Sequence, residues 1–381
     1  WQLGNQAWDM APCITNAITV TKADQTISFP AIGNQCVTGT VRLAATASSG
    51  LAVSLAVTAG PGVISASSNL TFTGTGLVSI AATQAGDEMY NAAPVVLRTT
   101  LAGYLYTLTI LSAHGAPRPP AGVYTNWGGT ILTNTVGASE TSGMTQHVCV
   151  GWTLSGHAPA GGSSTQAVVT VTNNAVFNWR WATNYWLAIA AGTNGSIAGG
   201  SGWRAAGVTT QITATADAYY HFANWIGSVA CNSNPLPLLM DAPKSLTALF
   251  APTWTVNRPT PQWWLAQHGI TNHFEESVSE DPDGDQAITG DEFVMNTDPT
   301  NAFSCLRLIG ISRQEAGCAL TWPCATDRVY DVYWASSQPH SSWLPVPDMT
   351  NLTSLTESLT LTNATPPDGA QFFRVGVRMP W

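Results

Sequence analysis

Three aspartates at alternate positions, Asp281, Asp283 and Asp285, followed by Glu292, are the residues here whose types and spacing suit a defined chemistry. Counting Asp281 as the first loop position, carboxylates fall at positions 1, 3 and 5, the Ala287 carbonyl at 7, the Thr289 hydroxyl at 9 and Glu292 at 12, with apolar Ile288 at 8. A hard cation such as calcium takes about six to eight oxygens at a flexible radius, and donors in this order wrap the chain once around an ion that a bidentate glutamate closes off. Protein ligands fill that shell, so the ion expected is structural. The surrounding stretch, Glu275 to Asn301, carries nine of the chain's 22 acidic residues: Glu275, Glu276, Glu280, Asp281, Asp283, Asp285, Asp291, Glu292 and Asp298. No Lys or Arg lies between Arg258 and Arg307, so this charge needs a cation from outside or must stay solvated. Asp298 is either an additional ligand or a cap for the next turn.

One position departs from the EF-hand pattern. Position 6, where glycine makes the sharp turn, is Gln286, and a glycine stands two places earlier at Gly284. With the trailing Asn296-Thr-Asp-Pro-Thr-Asn301, the stretch more closely resembles the bacterial thrombospondin type-3 and dockerin-like repeats. Glycine is usual at this position there too, so the departure bears on affinity rather than on the existence of the loop.

Other reactive constellations are weak. The seven histidines are scattered without an HExxH or other metal spacing, and no GxSxG elbow, P-loop or dinucleotide fingerprint occurs. His147 and Cys149 share one strand face at i, i+2, which fits a core cysteine beside a half-exposed histidine better than a thiol nucleophile. The sequence therefore reads as non-enzymatic. Sixteen tryptophans raise a different chemistry, since sugar rings stack on exposed indoles. Trp8, Trp127, Trp203, Trp322 and Trp343 fall near turns, and Trp127, Trp203 and Trp343 are the candidate glycan platform. Trp152, Trp179, Trp181 and Trp225 follow core alternation instead.

Composition narrows the class. Only 9% of the 381 residues are charged and the net charge is −9, with Lys22 and Lys244 the only lysines. Nucleic-acid binding, which needs clustered cations, is excluded as a reading. No apolar run of about 18 residues is present to cross a bilayer as a helix. The balance is that of an exported, loop-rich β protein from which any signal peptide has gone. Seven cysteines, an odd number, are too scattered for a disulfide scaffold, and Cys318 with Cys324 either bridge locally or stay as small buried residues.

The chain reads as tandem modules. Gly4 to Pro12, GNQAWDMAP, echoes Gly86 to Pro94, GDEMYNAAP, 82 residues further on, and a β-like run follows each. Residues 1–22 thus read as terminal strand of an incomplete preceding repeat, either a mature end awaiting another subunit or a fragment boundary. Residues 23–103 alternate in short runs broken by turns such as Gly60-Pro61-Gly62, which is sandwich spacing. The phrases TISFPAIGNQ and AATASSGLAVSLAVTAGPGVIS resemble the immunoglobulin-like repeats of very long exported bacterial proteins.

Two related units follow, 104–183 and 184–252. Tyr106-x-Leu108-x-Ile110 matches Tyr185-x-Leu187-x-Ile189, Gly151-Trp152 matches Asn224-Trp225, and the closing run Phe177-x-Trp179-x-Trp181 matches Leu246-x-Ala248-x-Phe250. The second unit, with Phe222-x-x-Trp225 and MDAPKSLTALF, resembles the divergent listerial internalin-B-type repeat, which implies a β-grasp-like spacer or adhesive module without catalytic residues. The first resembles a longer variant with a loop inserted at 155–166. Residues 253–302 form a linker in which Thr260 caps a helix over Pro261 to His268, a second helix spans about Asn272 to Ser279, and Trp263 and Trp264 pack onto a neighbouring module. Residues 303–381 return to strands (Leu306–Ile311, Val329–Trp334, Leu359–Leu361 and Phe372–Val377), and YDVYWASSQPHSSWLPVP with QFFRVGVRM resembles the C-terminal β domain of exported bacterial proteins.

The fold expected is all-β: tandem β-sandwich and β-grasp-like modules with a short helical calcium-loop linker. The function expected is that of an extracellular structural or adhesive protein at a bacterial surface, a fibre subunit completed by strand exchange through residues 1–22, with calcium stiffening the C-terminal joint. Its partners are then further copies of itself or surface glycans. The alternative is a glycan-binding appendage of a larger secreted enzyme.

Overall fold

The structure, a computed structural model, describes residues 16–314, 317–336, 342–364 and 372–380, and the chain divides into two compact units, Trp1–Thr183 and Asn184–Trp381. It is all-β, and the three helices among the described residues lie between Gln262 and Met295. The whole first copy of the repeated phrase, Gly4 to Pro12 with Trp8, lies outside the described residues. Asn16 to Lys22 are described, exposed and in no strand.

In the first unit residues 23–103 form facing sheets. Strand Val96–Gly103 runs antiparallel to Gly76–Thr83, which pairs with Ser54–Ala59, and runs parallel to Gln35–Cys36. Opposite lie Thr40–Arg42, Asn69–Phe72 and Gly62–Ile64. The alternation places Leu70, Val78, Ile80 and Ala102 in one core. The repeated phrase has a structural job here. The Asp87 carboxylate accepts from the Met89 and Tyr90 amides (2.8 and 2.9 Å), and the turn so formed receives the Ala23 amide on the Met89 carbonyl at 2.9 Å. Gln25 is buried beside it, donating to the Asn91 carbonyl at 2.7 Å.

The two related units share one strand order. In the first, Leu105–Leu111 lies between antiparallel Gly122–Trp127 and the parallel start of Ala175–Ala191, with Leu108 opposite Ala175. In the second, Asn184 to Leu187 of that same strand pair antiparallel to Gly202–Ala205, and Leu187 to Ala191 pair parallel to the start of Lys244–Pro252, with Leu187 opposite Lys244. The matched triplets are the reason: Leu108, Ile110, Phe177 and Trp179 are buried in one core, and Leu187, Leu246 and Ala248 in the other. Trp152 and Trp225, matched in the sequence, are both core residues, and Trp225 is wholly buried with its Nε1–H on the Ser233 carbonyl at 3.1 Å. In the inserted loop, Gly161–Gly162 pairs with Trp152 and Thr153. A Cβ on Gly162 would sit 2.9 Å from the Trp152 ring, so only glycine lets the loop lie against it.

In the second unit the linker folds into α1 (Gln262–Gln267), α2 (Phe274–Ser277) and α3 (Thr289–Met295). Helices this short cannot stand alone and are held by a shared core. Trp264, Leu265, Val278 and Phe293 supply it, with Trp264 and Phe293 edge to face at 5.3 Å. This corrects the expectation that Trp264 serves a neighbouring module. The helix cap also differs. Pro261 is the N-cap of α1, because the Thr260 amide donates to the Thr255 hydroxyl at 3.0 Å and the Thr260 side chain is buried in the turn. Helix α3 is a third helix, beyond the two that the sequence predicts for the linker.

The terminal domain, 303–380, packs two three-stranded sheets, Gly310–Gln314 with Gly317–Pro323 and Ser358–Ala364, and Leu344–Pro345 with Val329–Ala335 and Phe372–Arg378. Leu320, Trp322, Tyr330 and Val332 fill the space between them. Trp322, read as lying near a turn, is therefore wholly buried. Cys318 and Cys324 lie in that core, where burial pushes both thiols up. Their stretch is a strand rather than a locally bridged turn.

Replacing Trp225 by alanine empties the centre of the repeat at 184–252. The expected cost is roughly 3–5 kcal/mol, read as an earlier unfolding transition in urea followed by far-ultraviolet circular dichroism.

Candidate metal centre

The acidic stretch sorts itself by what each carboxylate touches. Glu275 accepts from the Val256 amide at 2.9 Å, Asp291 pairs with Arg258 at 2.5 Å, and Asp298 pairs with His268 at 3.1 Å. Asp298 also takes the Thr300 amide and hydroxyl (3.1 and 2.7 Å), which with His268 holds its carboxyl below the usual range. These are the contacts of a turn cap. Arg258, at the edge of the acidic stretch, is the cation that sequence spacing had left without a role.

Of the other six, the loop brings Asp281, Asp283 and Asp285 together, each offering an oxygen within 4.8 Å of the others. Backbone amides hold them there. Asp281 accepts from Gly284 at 2.8 Å and from Gln286 at 2.9 Å, Asp283 from Asp285 at 3.2 Å, and Asp285 from Ala287 at 2.8 Å. The turn needs left-handed backbone at Gly284 and at Gln286, both with φ of 79°. Gln286 adopts the conformation that glycine would take without strain, at an expense of about 1 kcal/mol. Ala287 follows in the loop. Thr289 is buried at the start of α3, its hydroxyl donating to the Glu280 carbonyl at 3.1 Å.

Glu292 decides what the loop can hold. It sits in the first turn of α3 with 0% exposure. Thr297 donates to its Oε1 at 3.3 Å, while Oε2, like Oδ2 of Asp283, is buried without a hydrogen-bond partner. Burial first, then the charges of Asp283, Asp285 and Asp281, push its carboxyl up to about 7, against an ordinary 4.5. That difference disfavours the carboxylate by on the order of 3 kcal/mol, so a proton or a cation belongs on it. Two orphaned oxygens from different ends of one loop, with carboxylates between them, fit a hard divalent cation. Asp281, Asp283, Asp285, the Ala287 carbonyl and Glu292 are the groups that would hold calcium there, with Thr289 at the position that often reaches the ion through water.

The far end of α3 carries a residue that sequence reasoning missed. Arg328 is 3% exposed, stacks over the Phe293 ring at 5.1 Å, and donates to the Phe293 and Val294 carbonyls at 2.6 and 2.7 Å. It satisfies the last carbonyls of α3 with a charge that suits the helix C-terminus. A lone arginine before a strand gives no sequence signal for this.

The remaining candidates are placed separately. Trp127 is half-buried at the end of its strand. Trp203 stands edge-on to Trp186 at 5.2 Å, and Trp343 is covered on one face by Arg374 at 4.6 Å, so neither presents an open pair of coplanar rings. His147 stacks on His114 at 3.5 Å and its Nδ1 meets the Thr183 hydroxyl at 3.2 Å, while the Cys149 sulfur faces the Gly151 carbonyl. The His147 and Cys149 side chains therefore have different partners.

Residues 185–253 match the family described as "Divergent InlB B-repeat domain". The matched stretch is the second of the two related units. No curated protein matches the chain.

A carboxyl raised in the folded state fixes the sign of the pH dependence. In chelator, the folded chain keeps a proton that the unfolded chain releases near 4.5, so stability is fullest below that pH and falls as pH rises towards about 7. Thermal melts in chelator between pH 4.5 and 8 are expected to show that fall. Millimolar calcium is expected to remove it, and Glu292→Gln to abolish both the slope and the calcium response. Gln286→Gly relieves the strained turn and is expected to tighten calcium binding several-fold in isothermal titration calorimetry.

Proposed function

We propose that this chain is a non-enzymatic, extracellular structural protein of a bacterial surface, whose calcium loop stiffens the joint between the internalin-B-type repeat and the terminal β domain. The observation that carries the joint is the placement of α3. Its first turn bears the buried Glu292 beside the three aspartates, and its last carbonyls are held by Arg328 of the terminal domain. Tyr219 of the repeat meets Phe274 of α2 edge to face at 5.9 Å, and the Gln262 amide reaches the Thr253 carbonyl at 2.8 Å. An ion that neutralises Glu292 therefore fixes a segment in contact with both neighbours. The family match over 185–253 supports the surface setting. Extracellular calcium modules work at about 10⁻⁴ to 10⁻³ M, where the ion is abundant outside cells.

Self-association through residues 1–22 belongs to the same proposal. Its support is that Ile18 and Val20, two apart, are 84% and 88% exposed in a stretch without strand partners among the described residues. Such a run suits pairing with a sheet edge of another copy.

Hydrogen exchange with and without calcium tests the joint. Protection is expected to rise over 281–297 and also over 328–330 of the terminal domain. A gain confined to the loop would leave calcium binding intact and remove the joint. For assembly, electron microscopy in millimolar calcium is expected to show regular fibres that vanish when residues 1–22 are deleted, and fibres that persist would end that part of the proposal.

A further inference from the structure

The first unit contains an uncharged aromatic groove of about 440 Å³, within the roughly 300–1,000 Å³ of small-molecule sites. We propose that this groove, walled by Tyr104, Tyr106 and Trp127, binds a neutral saccharide. It lies in residues 75–172 and is independent of the calcium reading.

The geometry begins with Tyr104, the single residue between strands Val96–Gly103 and Leu105–Leu111. The Tyr104 and Tyr106 rings lie 6.1 Å apart at 32°. Across the antiparallel pair, Leu105 is opposite Trp127, which brings the indole to the same end of the sheet. Two glycines let the rings approach the backbone: a Cβ on Gly103 would stand 3.2 Å from the Trp127 ring, and one on Gly128 would stand 3.1 Å from the Tyr106 ring. The Gly128 amide donates to the Tyr104 carbonyl at 2.9 Å and fixes that turn. The aromatic walls are thus set by main-chain bonds and glycine contacts.

The chemistry of the lining selects the ligand. Thr75 and Thr172 supply hydroxyls, and no lining side chain carries a charge. Tyr104 is 48% exposed. Neither tyrosine hydroxyl nor the Trp127 Nε1–H meets a protein partner among the described residues, so each is available to a ligand. Flat apolar faces flanked by neutral donors and acceptors match a pyranose ring, which offers C–H groups on its faces and hydroxyls at its rim. A carboxylated or sulfated sugar would find no cation in this lining.

The test is affinity electrophoresis of the full chain through gels containing soluble β-glucan, xylan, glycol chitin or starch, with polygalacturonate as the acidic comparison. At least one neutral polymer is expected to retard the wild type. Trp127→Ala and Tyr104→Ala are expected to weaken that retardation about tenfold, and Trp127→Phe less, at unchanged melting temperature. Because Trp127 is half-buried and its loss could disturb folding, the more exposed Tyr104 gives the second reading. The proposal is overturned if no neutral polymer retards the wild type, if only polygalacturonate does, or if folded Tyr104→Ala and Trp127→Ala migrate as the wild type does. Self-association in sedimentation that both substitutions abolish, without saccharide retardation, would overturn it in favour of a second copy as occupant.

Discussion

A glutamate with no exposure, set against three aspartates, is the constraint on which the C-terminal half of this chain turns. Burying Glu292 as an anion is unfavourable unless something positive shares the site, and the negative loop beside it adds to the penalty. The surrounding structure holds the burial in place, since α3 packs through Phe293 onto Trp264 and Trp254, and Gly290 lies so close to the Val278 carbonyl that a Cβ there would stand 3.0 Å from it. Three short helices without a long apolar face are thereby tied to one small core and one charged loop. The end of that core is closed by the Arg328 guanidinium, whose own burial is balanced by carbonyls and an aromatic face.

The β modules rest on a different constraint, the pairing of an opening strand with its closing strand in parallel. A parallel pair needs a long crossover, and in both related units the intervening residues supply the rest of the sheet and the lid of the core. The apolar triplets at i, i+2, i+4 face the same way because side chains alternate along a strand, and the pairing sets the opening and closing triplets side by side. This explains why buried apolar residues recur at Leu108 and Leu187, and at Phe177 and Leu246, although the inserted loop lengthens the first unit.

Legibility in the sequence followed how local the physics was. The donors of the loop are consecutive, so their spacing was readable, and so was the strand alternation that buries Trp179 and Trp225. Helix α1 was readable from Pro261 and Gly269, which stand at its start and just past its end. The roles of Trp264 and Trp322 were not, because a tryptophan beside turn residues carries the same local signature whether it faces solvent, a neighbouring module or its own core. Arg328 was also silent, since its partners are backbone carbonyls more than thirty residues away, and carbonyls leave no mark in a sequence. Asp298 was readable only as a choice between ligand and cap. Its cap contacts to His268 and Thr300 are visible only in space.

The most direct test is a diffraction measurement on crystals grown in millimolar calcium, at a wavelength where calcium scatters anomalously. One anomalous peak is expected, bounded by Asp281, Asp283, Asp285, the Ala287 carbonyl and both oxygens of Glu292 at about 2.3–2.6 Å. No peak, or a peak on the aspartates with Glu292 still turned inward and protonated, would contradict the view that the buried glutamate couples the ion to the helix and its joint.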